Sequence, residues 1–262
     1  MSNLFSVNGK NALVTGGTRG IGRAICELFQ AQGAALQVVA RGEEELVRRL
    51  EEWRATGGKA DGIVADVSTS EGRWKVIHSL RERWERLDIF VNCAGTNIRR
   101  KSVDYTIEEY RHIIDTNATA AFELSRHLFP LLRNAAQSAG NSSGASVVFI
   151  GSTAGLSTVP TGAPYAMSKA ALDQLTRYLA VEWASDGIRV NSVAPWYIRT
   201  PLVEGVLSDE LYYNTVIDRT PLGRIGEPIE VAAATAFLCA AGASFITGQT
   251  IAVDGGFLAK GM

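Results

Sequence analysis

Tyr165 and Lys169 stand four residues apart in "YAMSK", a spacing that puts both on one face of a helix. A free phenol holds its proton up to about pH 10. A neighbouring ammonium favours the phenolate. Readiness for proton exchange at neutral pH takes roughly 4 kcal/mol of such preference. A tyrosine so placed gives a proton to a developing alkoxide or takes one from an alcohol. The pair alone is equally what an ordinary surface helix carries. Ser152, in "FIGSTAG", adds a hydroxyl at the end of an apolar run, able to donate to the same substrate oxygen. Asn117, in "IIDTNATAAF", is polar inside an apolar helical run. It holds a water, bends the helix, or is a satisfied core amide.

A second group lies upstream in "TGGTRGIG", Thr15 to Gly22. Gly16, Gly20 and Gly22 form G-x-x-x-G-x-G between a strand and a helix, with Thr18, Arg19 and Ile21 in the same loop. Glycine permits the sharp turn and lets a pyrophosphate approach the helix N-terminus. A dinucleotide site is expected; the alternative is a glycine-rich turn without a ligand. An NAD site usually carries Asp or Glu at the end of the second strand. Here "VVARGEEE" places Ala40 and Arg41 there. Arg41 and Arg19 suit a ribose 2′-phosphate, since guanidinium pairs well with phosphate. NADP(H) is therefore expected, against the alternative that Glu43 to Glu45 neutralise Arg41. Asp66, in "VADVS" with Val67 beside it, ends the third strand. Its carboxylate meets an adenine amino group, or it shapes a turn or caps a helix.

These residues need a scaffold, and the chain alternates short β-type runs with longer helical ones. Seven strands can be counted: "NALVTG", "ALQVVA", "ADGIVADV", "LDIFVNCAG", "ASVVFIGS", "IRVNSVAP" and "GQTIAVDGG". Strands separated by helices of this length predict an α/β fold: a Rossmann-type, doubly wound parallel sheet with helices on both faces. "TIEEYRHIIDTNATAAFELSRHLFPLLRNAA" reads as one helical run, and "AAQSAGNSSGAS" as a loop before strand five. The stretch 196–226 contains two helix-like pieces and follows a strand's C-terminal end, where open α/β sheets bind ligands. It is read as a lid over the substrate. Trp196, Tyr197, Leu202, Leu207, Tyr212 and Tyr213 give it an aromatic, apolar character. Trp196, Tyr197, Leu202 and Tyr212 are the candidate substrate contacts.

The 262 residues suit one domain, and 46% hydrophobic residues supply a core. A formal net charge of -1 gives no reason to expect a nucleic-acid partner. Cys26, Cys93 and Cys239 are scattered and read as reduced core thiols, with no metal site expected. The N-terminus has no signal-peptide run, and the most apolar later stretch is too short to span a bilayer. A cytoplasmic protein without membrane association is expected.

The combination of "TGGTRGIG", "NCAG" (Asn92 to Gly95), Asn117, Ser152 and "YAMSK" resembles the short-chain dehydrogenase/reductase family over nearly the whole chain. Within that family "NCAGTNIRR" and "APWYIRTPLVE" look like the tropinone-reductase-like proteins. The resemblance implies an Asn–Ser–Tyr–Lys tetrad. Tyr165 would be the acid/base, and Ser152 would orient the substrate oxygen. Lys169 would support the tyrosine and bind the nicotinamide ribose, and Asn117 would hold a relay water. It also implies that Arg41 marks NADP preference and that Asn92, Ala94 and Gly95 line the adenosine side. Pro195, Ile198 and Thr200 would meet the nicotinamide. The implied activity is NADPH-dependent reduction of a small, cyclic ketone. The alternatives are a 3-oxoacyl carrier-protein reductase, helped by Arg99, Arg100 and Lys101, or a sugar or polyol dehydrogenase; a non-enzymatic NADP(H) sensor is disfavoured. A homo-oligomer, tetramer or dimer, is implied, with the C-terminal "DGGFLAKGM" reaching a neighbouring subunit. Two departures stand out: Cys93 replaces an asparagine, and Trp196 replaces the usual glycine.

Overall fold

The computed structural model describes residues 4–138 and 144–260. Its strands are β1 (Asn11–Thr15), β2 (Ala35–Ala40), β3 (Lys59–Val64), β4 (Ile89–Asn92), β5 (Ala145–Ile150), β6 (Ile188–Pro195) and β7 (Thr250–Val253). They form one parallel sheet in the order β3-β2-β1-β4-β5-β6-β7. The helices between them are α1 (Gly20–Ala31), α2 (Glu43–Ala55), α3 (Ser70–Arg83), α4 (Ile107–Ile114), α5 (Ala120–Ser138) and α6 (Ala163–Glu182). Two short helices, α7 (Pro201–Leu207) and α8 (Glu210–Asp218), and then α9 (Pro228–Cys239) separate β6 from β7.

Successive strand residues point to opposite faces, and both faces are covered. Leu13, Phe90, Val147 and Phe149 enter one core with Leu80 of α3, Leu124 of α5 and Leu172 of α6. Ala12, Val14, Ile89, Val91 and Val148 enter the other with Ile25 of α1, Leu46 of α2 and Val231 of α9. Burial on both sides explains why these strands read as continuous apolar runs; every residue of β5 and β6 is buried. The strand order reverses between β1 and β4, so a cleft opens beyond their C-terminal ends. This is the single Rossmann-type domain expected.

Two readings of the sequence are corrected. The long helical run is not one α-helix. A π-helical turn at Asp115–Thr119 divides α4 from α5, and the Ala120 N–H reaches back five residues to the Asp115 carbonyl. Single π turns occur often at functional sites, and this one contains Asn117. The loop-like "AAQSAGNSSGAS" is also shorter than its composition suggests. Ala135 and Ala136 pack in the core and carry α5 on to Ser138, while Ala145 and Ser146 belong to β5. Residues 139–143 of that stretch lie outside the described residues. Among the described residues no helix is long and apolar enough to cross a membrane.

Candidate active site

The glycine loop closes on itself in a way that excludes side chains. Gly16 has a φ of 70°, and a β-carbon there would lie 2.9 Å from the Ala94 Cα. At Gly22 a β-carbon would lie 2.1 Å from the Gly16 carbonyl oxygen. The N-cap residue of α1, Arg19, makes no side-chain capping bond, and the first residues of that helix, Gly20, Ile21 and Gly22, line a cleft. Uncapped N–H groups and the helix dipole suit an anion. A cavity of about 610 Å³ runs from this loop along the strand ends.

All but one of the expected cofactor residues line that cavity. Gly16, Thr18, Arg19, Gly20, Ile21 and Gly22 form its first wall, Arg41, Asp66 and Val67 its second. Ala94, Gly95, Tyr165, Lys169, Pro195, Ile198 and Thr200 complete it. Asn92 is the exception. It is 1% exposed, and its Oδ1 accepts from the Thr15 hydroxyl at 3.1 Å. Thr15 Oγ1 in turn accepts from the Cys93 and Ala94 N–H groups, each at 3.1 Å. Asn92 thus faces the core because its strand position does. Thr15, which the motif reading left without a role, ties the end of β1 to the turn after β4.

Arg41 is not neutralised by the acidic run that follows it. Glu45 is committed to Arg48 and Arg49, and the acid near Arg41 is Asp66, at 3.8 Å. Asp66 itself shapes a turn, its Oδ1 accepting from the Ser68 N–H at 2.9 Å. Burial opposes its charge, but the Ser68 hydrogen bonds and Arg41 outweigh burial and hold the carboxyl below its usual range. The cap of α3 is Thr69, not Asp66. Cys93, at the family's asparagine position, is pushed up to about 12 by burial and stays a neutral thiol.

Beyond the strand ends the four candidate catalytic residues converge. Ser152 follows β5 and caps a short 3-10 turn, its Oγ accepting from the Ala154 N–H at 3.1 Å. An oxygen that accepts from the backbone keeps its own hydrogen for another acceptor. Tyr165 lies in the first turn of α6. Lys169, one turn on, is 5% exposed, and its Nζ donates to the Ile150 carbonyl at 2.8 Å. Nζ lies 5.6 Å from the centre of the Tyr165 ring, so the pair that sequence spacing suggested does share one face. Asn117 stands behind the cavity wall, fully buried. Its Oδ1 accepts from the Thr96 N–H at 2.8 Å, and its Nδ2 donates to the Thr96 carbonyl at 3.0 Å and to Ser168 Oγ at 2.9 Å. Two of the three readings of Asn117 therefore hold: it is a satisfied amide, and it sits where the helix is distorted. A β-carbon placed on Gly95 would lie 3.5 Å from Asn117 Oδ1 and 3.6 Å from Lys169 Nζ.

A second cavity, about 180 Å³, adjoins the first. Ser152, Tyr165, Trp196, Leu202 and Val203 line both. Of the expected substrate contacts, Trp196, Tyr197 and Leu202 line this cavity. Tyr212 does not: it stands behind Tyr197, the two hydroxyls 2.6 Å apart. Asn97, Arg99 and Thr161 line the cavity and were not singled out as substrate contacts; the first two were legible as the residues just past "NCAG". The Trp196 indole N–H donates to Thr220 Oγ1 at 3.1 Å, and its ring stacks on Phe257, with centroids 3.6 Å apart and planes 7° apart. The described part of the C-terminal tail thus packs against the chain's own 196–226 stretch.

A family model described as "Enoyl-(Acyl carrier protein) reductase" matches residues 16–258. A tropinone reductase homolog of Arabidopsis thaliana is 48% identical over 258 residues, 98% of this chain and 95% of that protein. The chain belongs to the short-chain dehydrogenase/reductase family. Among solved members, a gluconate 5-dehydrogenase from Burkholderia cenocepacia, in complex with NADP and tartrate, superposes with a TM-score of 0.91 at 30% identity, covering 99% of both chains. A 3-oxoacyl-[acyl-carrier protein] reductase from Brucella melitensis with bound NAD gives 0.85 at 31%, covering 96% of this chain and 92% of that one. The family fold is thus shared by members named for different substrates, so this chain's own cavity must carry the argument about its substrate.

Proposed function

We propose that this protein is an NADPH-dependent carbonyl reductase acting on a small, cyclic ketone. The observation that carries the reading is the place where the two cavities meet, at Ser152 and Tyr165. A carbonyl there has both hydroxyls on its oxygen and its carbon toward the larger cavity. The glycine cradle, the uncapped start of α1 and the Arg41 guanidinium fit a phosphorylated dinucleotide. The reduced nicotinamide, when bound, supplies a hydride. Ser152 donates to the carbonyl oxygen and orients it. Tyr165 gives its proton to the oxygen as charge develops there. The Lys169 ammonium stabilises the phenolate left behind, and its remaining N–H groups reach toward the ribose. Asn117 Oδ1 keeps one lone pair for a water lying between it and Lys169, a route by which the proton is replaced.

The carrier-protein alternative is weakened by the fate of its basic patch. Arg100 pairs with Glu109 at 2.8 Å, and Arg99 turns inward onto Tyr197 and Tyr212. Stretch 196–226 serves as the lid. Phe122, Tyr178 and Val181 are exposed on α5 and α6, which suits a homo-oligomer, tetramer or dimer, joined through those helices.

The test is NADPH consumption by the purified protein against a panel of cyclic ketones including tropinone, a 3-oxoacyl thioester and several ketoses, with NADH in parallel. Turnover of cyclic ketones with NADPH is the expected result. Preference for the thioester or for NADH would overturn the reading.

A further inference from the structure

The substrate cavity holds a charge that the reaction does not use. Arg99, just beyond β4, lines it beside Ser152 and Tyr165. Its Nη1 donates to the Tyr212 hydroxyl and its Nη2 to the Tyr197 hydroxyl, each at 3.2 Å. A guanidinium has five N–H donors, so three remain after these two. The central carbon also lies 5.9 Å from the centre of each phenol ring.

These contacts position the guanidinium without neutralising it. Burial works against its charge, but the two phenols more than offset that, and Arg99 stays cationic. Burial pushes the Tyr197 hydroxyl up to about 12, so it supplies no negative charge. Among the described residues Arg99 forms no ion pair, and Glu109 is held by the neighbouring Arg100. No Asp or Glu lines this cavity among the described residues. A partly buried cation without a counter-charge is costly unless an anion completes it.

Asn97, which lines the same cavity, does not compete for an anion. Asn97 Nδ2 is committed to the Thr161 carbonyl at 3.0 Å, which leaves Asn97 Oδ1, a buried acceptor without a partner. That oxygen repels an anion. Val159, Leu202, Val203 and Val206 offer only apolar surface.

We infer that the substrate carries a carboxylate, bound by Arg99 in the cavity where Ser152 and Tyr165 hold the carbonyl. The natural substrate class is then a small oxo acid. A protonated amine, which is the form tropinone takes at neutral pH, is disfavoured there. The assignment rests on the reductase reading in taking this cavity as the substrate's. It commits Arg99 to a positioning role, since it touches the substrate away from the reacting atoms.

The deciding measurement is calorimetric binding of cyclohexanecarboxylate and cyclohexanecarboxamide to the NADPH-loaded protein. The carboxylate should bind tighter by on the order of 10- to 100-fold. Arg99→Gln should collapse that ratio to near one, while Arg99→Lys, which keeps the charge, should retain part of it. The same pattern is expected in KM for 4-oxocyclohexanecarboxylate against its amide. Equal binding of the two ligands overturns the inference. So does a preference that survives Arg99→Gln, because the anion would then sit elsewhere, as at Lys169. A binding preference lost in Arg99→Gln, without turnover of any ketone, upholds the anion site and overturns the reductase reading instead.

Discussion

The floor of the cleft and its roof are built by different means. On the floor, functional side chains are tied to backbone: Lys169 to the Ile150 carbonyl, Asn117 to both polar groups of Thr96, Ser152 to the Ala154 N–H. Those backbone atoms belong to strand ends or to the turns that leave them, and the sheet fixes them. In the roof, side chains hold side chains. Trp196 meets Thr220 and Phe257, Tyr197 meets Tyr212, and Arg99 spans both phenols. Backbone anchoring holds these side chains in place whatever residues surround them, because the backbone carbonyl and N–H groups are there whatever the neighbouring side chains. Side-chain anchoring can be rewritten one residue at a time, which suits a part of the site that selects a substrate.

If the floor performs the chemistry, the largest effect belongs to Tyr165→Phe. It should lower kcat by roughly 10²- to 10⁴-fold, while NADPH affinity, measured by fluorescence quenching, stays within a few fold. Retention of kcat would remove Tyr165 from the reaction. Arg41→Ala probes the outer floor. It should raise the KM for NADPH about 10-fold and leave that for NADH nearly unchanged, the loss of one charge-assisted contact to phosphate. An equal change for both cofactors would contradict a 2′-phosphate contact.

Phe257→Ala tests the roof. Removing the stacked ring costs about 1 kcal/mol of lid positioning, read as a several-fold rise in the KM for the ketone with kcat retained. A fall in kcat alone would mean that the tail acts on the floor. The smallest effect concerns Asp173, on α6 one turn beyond Lys169, which is 2% exposed. Burial raises its carboxyl above the usual range, although Thr250 donates to its Oδ1 at 2.9 Å. The folded chain therefore holds this proton more tightly than the unfolded one. That contribution to stability is complete below the ordinary carboxylate value and is lost as pH rises through the raised folded one. Asp173→Asn should thus be about 1 kcal/mol more stable than the parent at pH 7, with the advantage vanishing near pH ~4. A lower melting temperature at every pH would show that the charge is needed.

The parts legible in the sequence were those whose cause is local. The glycine loop is one: Gly16 and Gly22 are demanded by contacts within one turn and its neighbouring strand. Tyr165 and Lys169 are another, since helical spacing alone puts them on one face. Misreadings arose where one bond of the backbone decides. Asn92 belongs to "NCAG" as firmly as Ala94 does, yet strand alternation turns it into the core toward Thr15. Tyr212 has the character of a pocket residue, but Tyr197 occupies the wall in front of it. At the π turn, Asn117 was legible only as a polar residue in an apolar run; its partner, the Thr96 backbone, lies 21 residues away in sequence.

By itself, the sequence determined the alternation of strands and helices, hence the parallel sheet and the position of its cleft, and it put Tyr165 and Lys169 on one helix face. Each follows from spacing over a few residues or from runs of apolar side chains, whereas the roles of Ser152 and Asn117 came from the family resemblance. Tertiary structure alone decided what stands above them. Arg99 meets Tyr212 from 113 residues away, and Phe257 of the tail comes to lie flat on Trp196, just past β6. Contacts of that kind carry no local periodicity. They exist only once the sheet has brought the ends of β4, β6 and β7 to one side of the molecule.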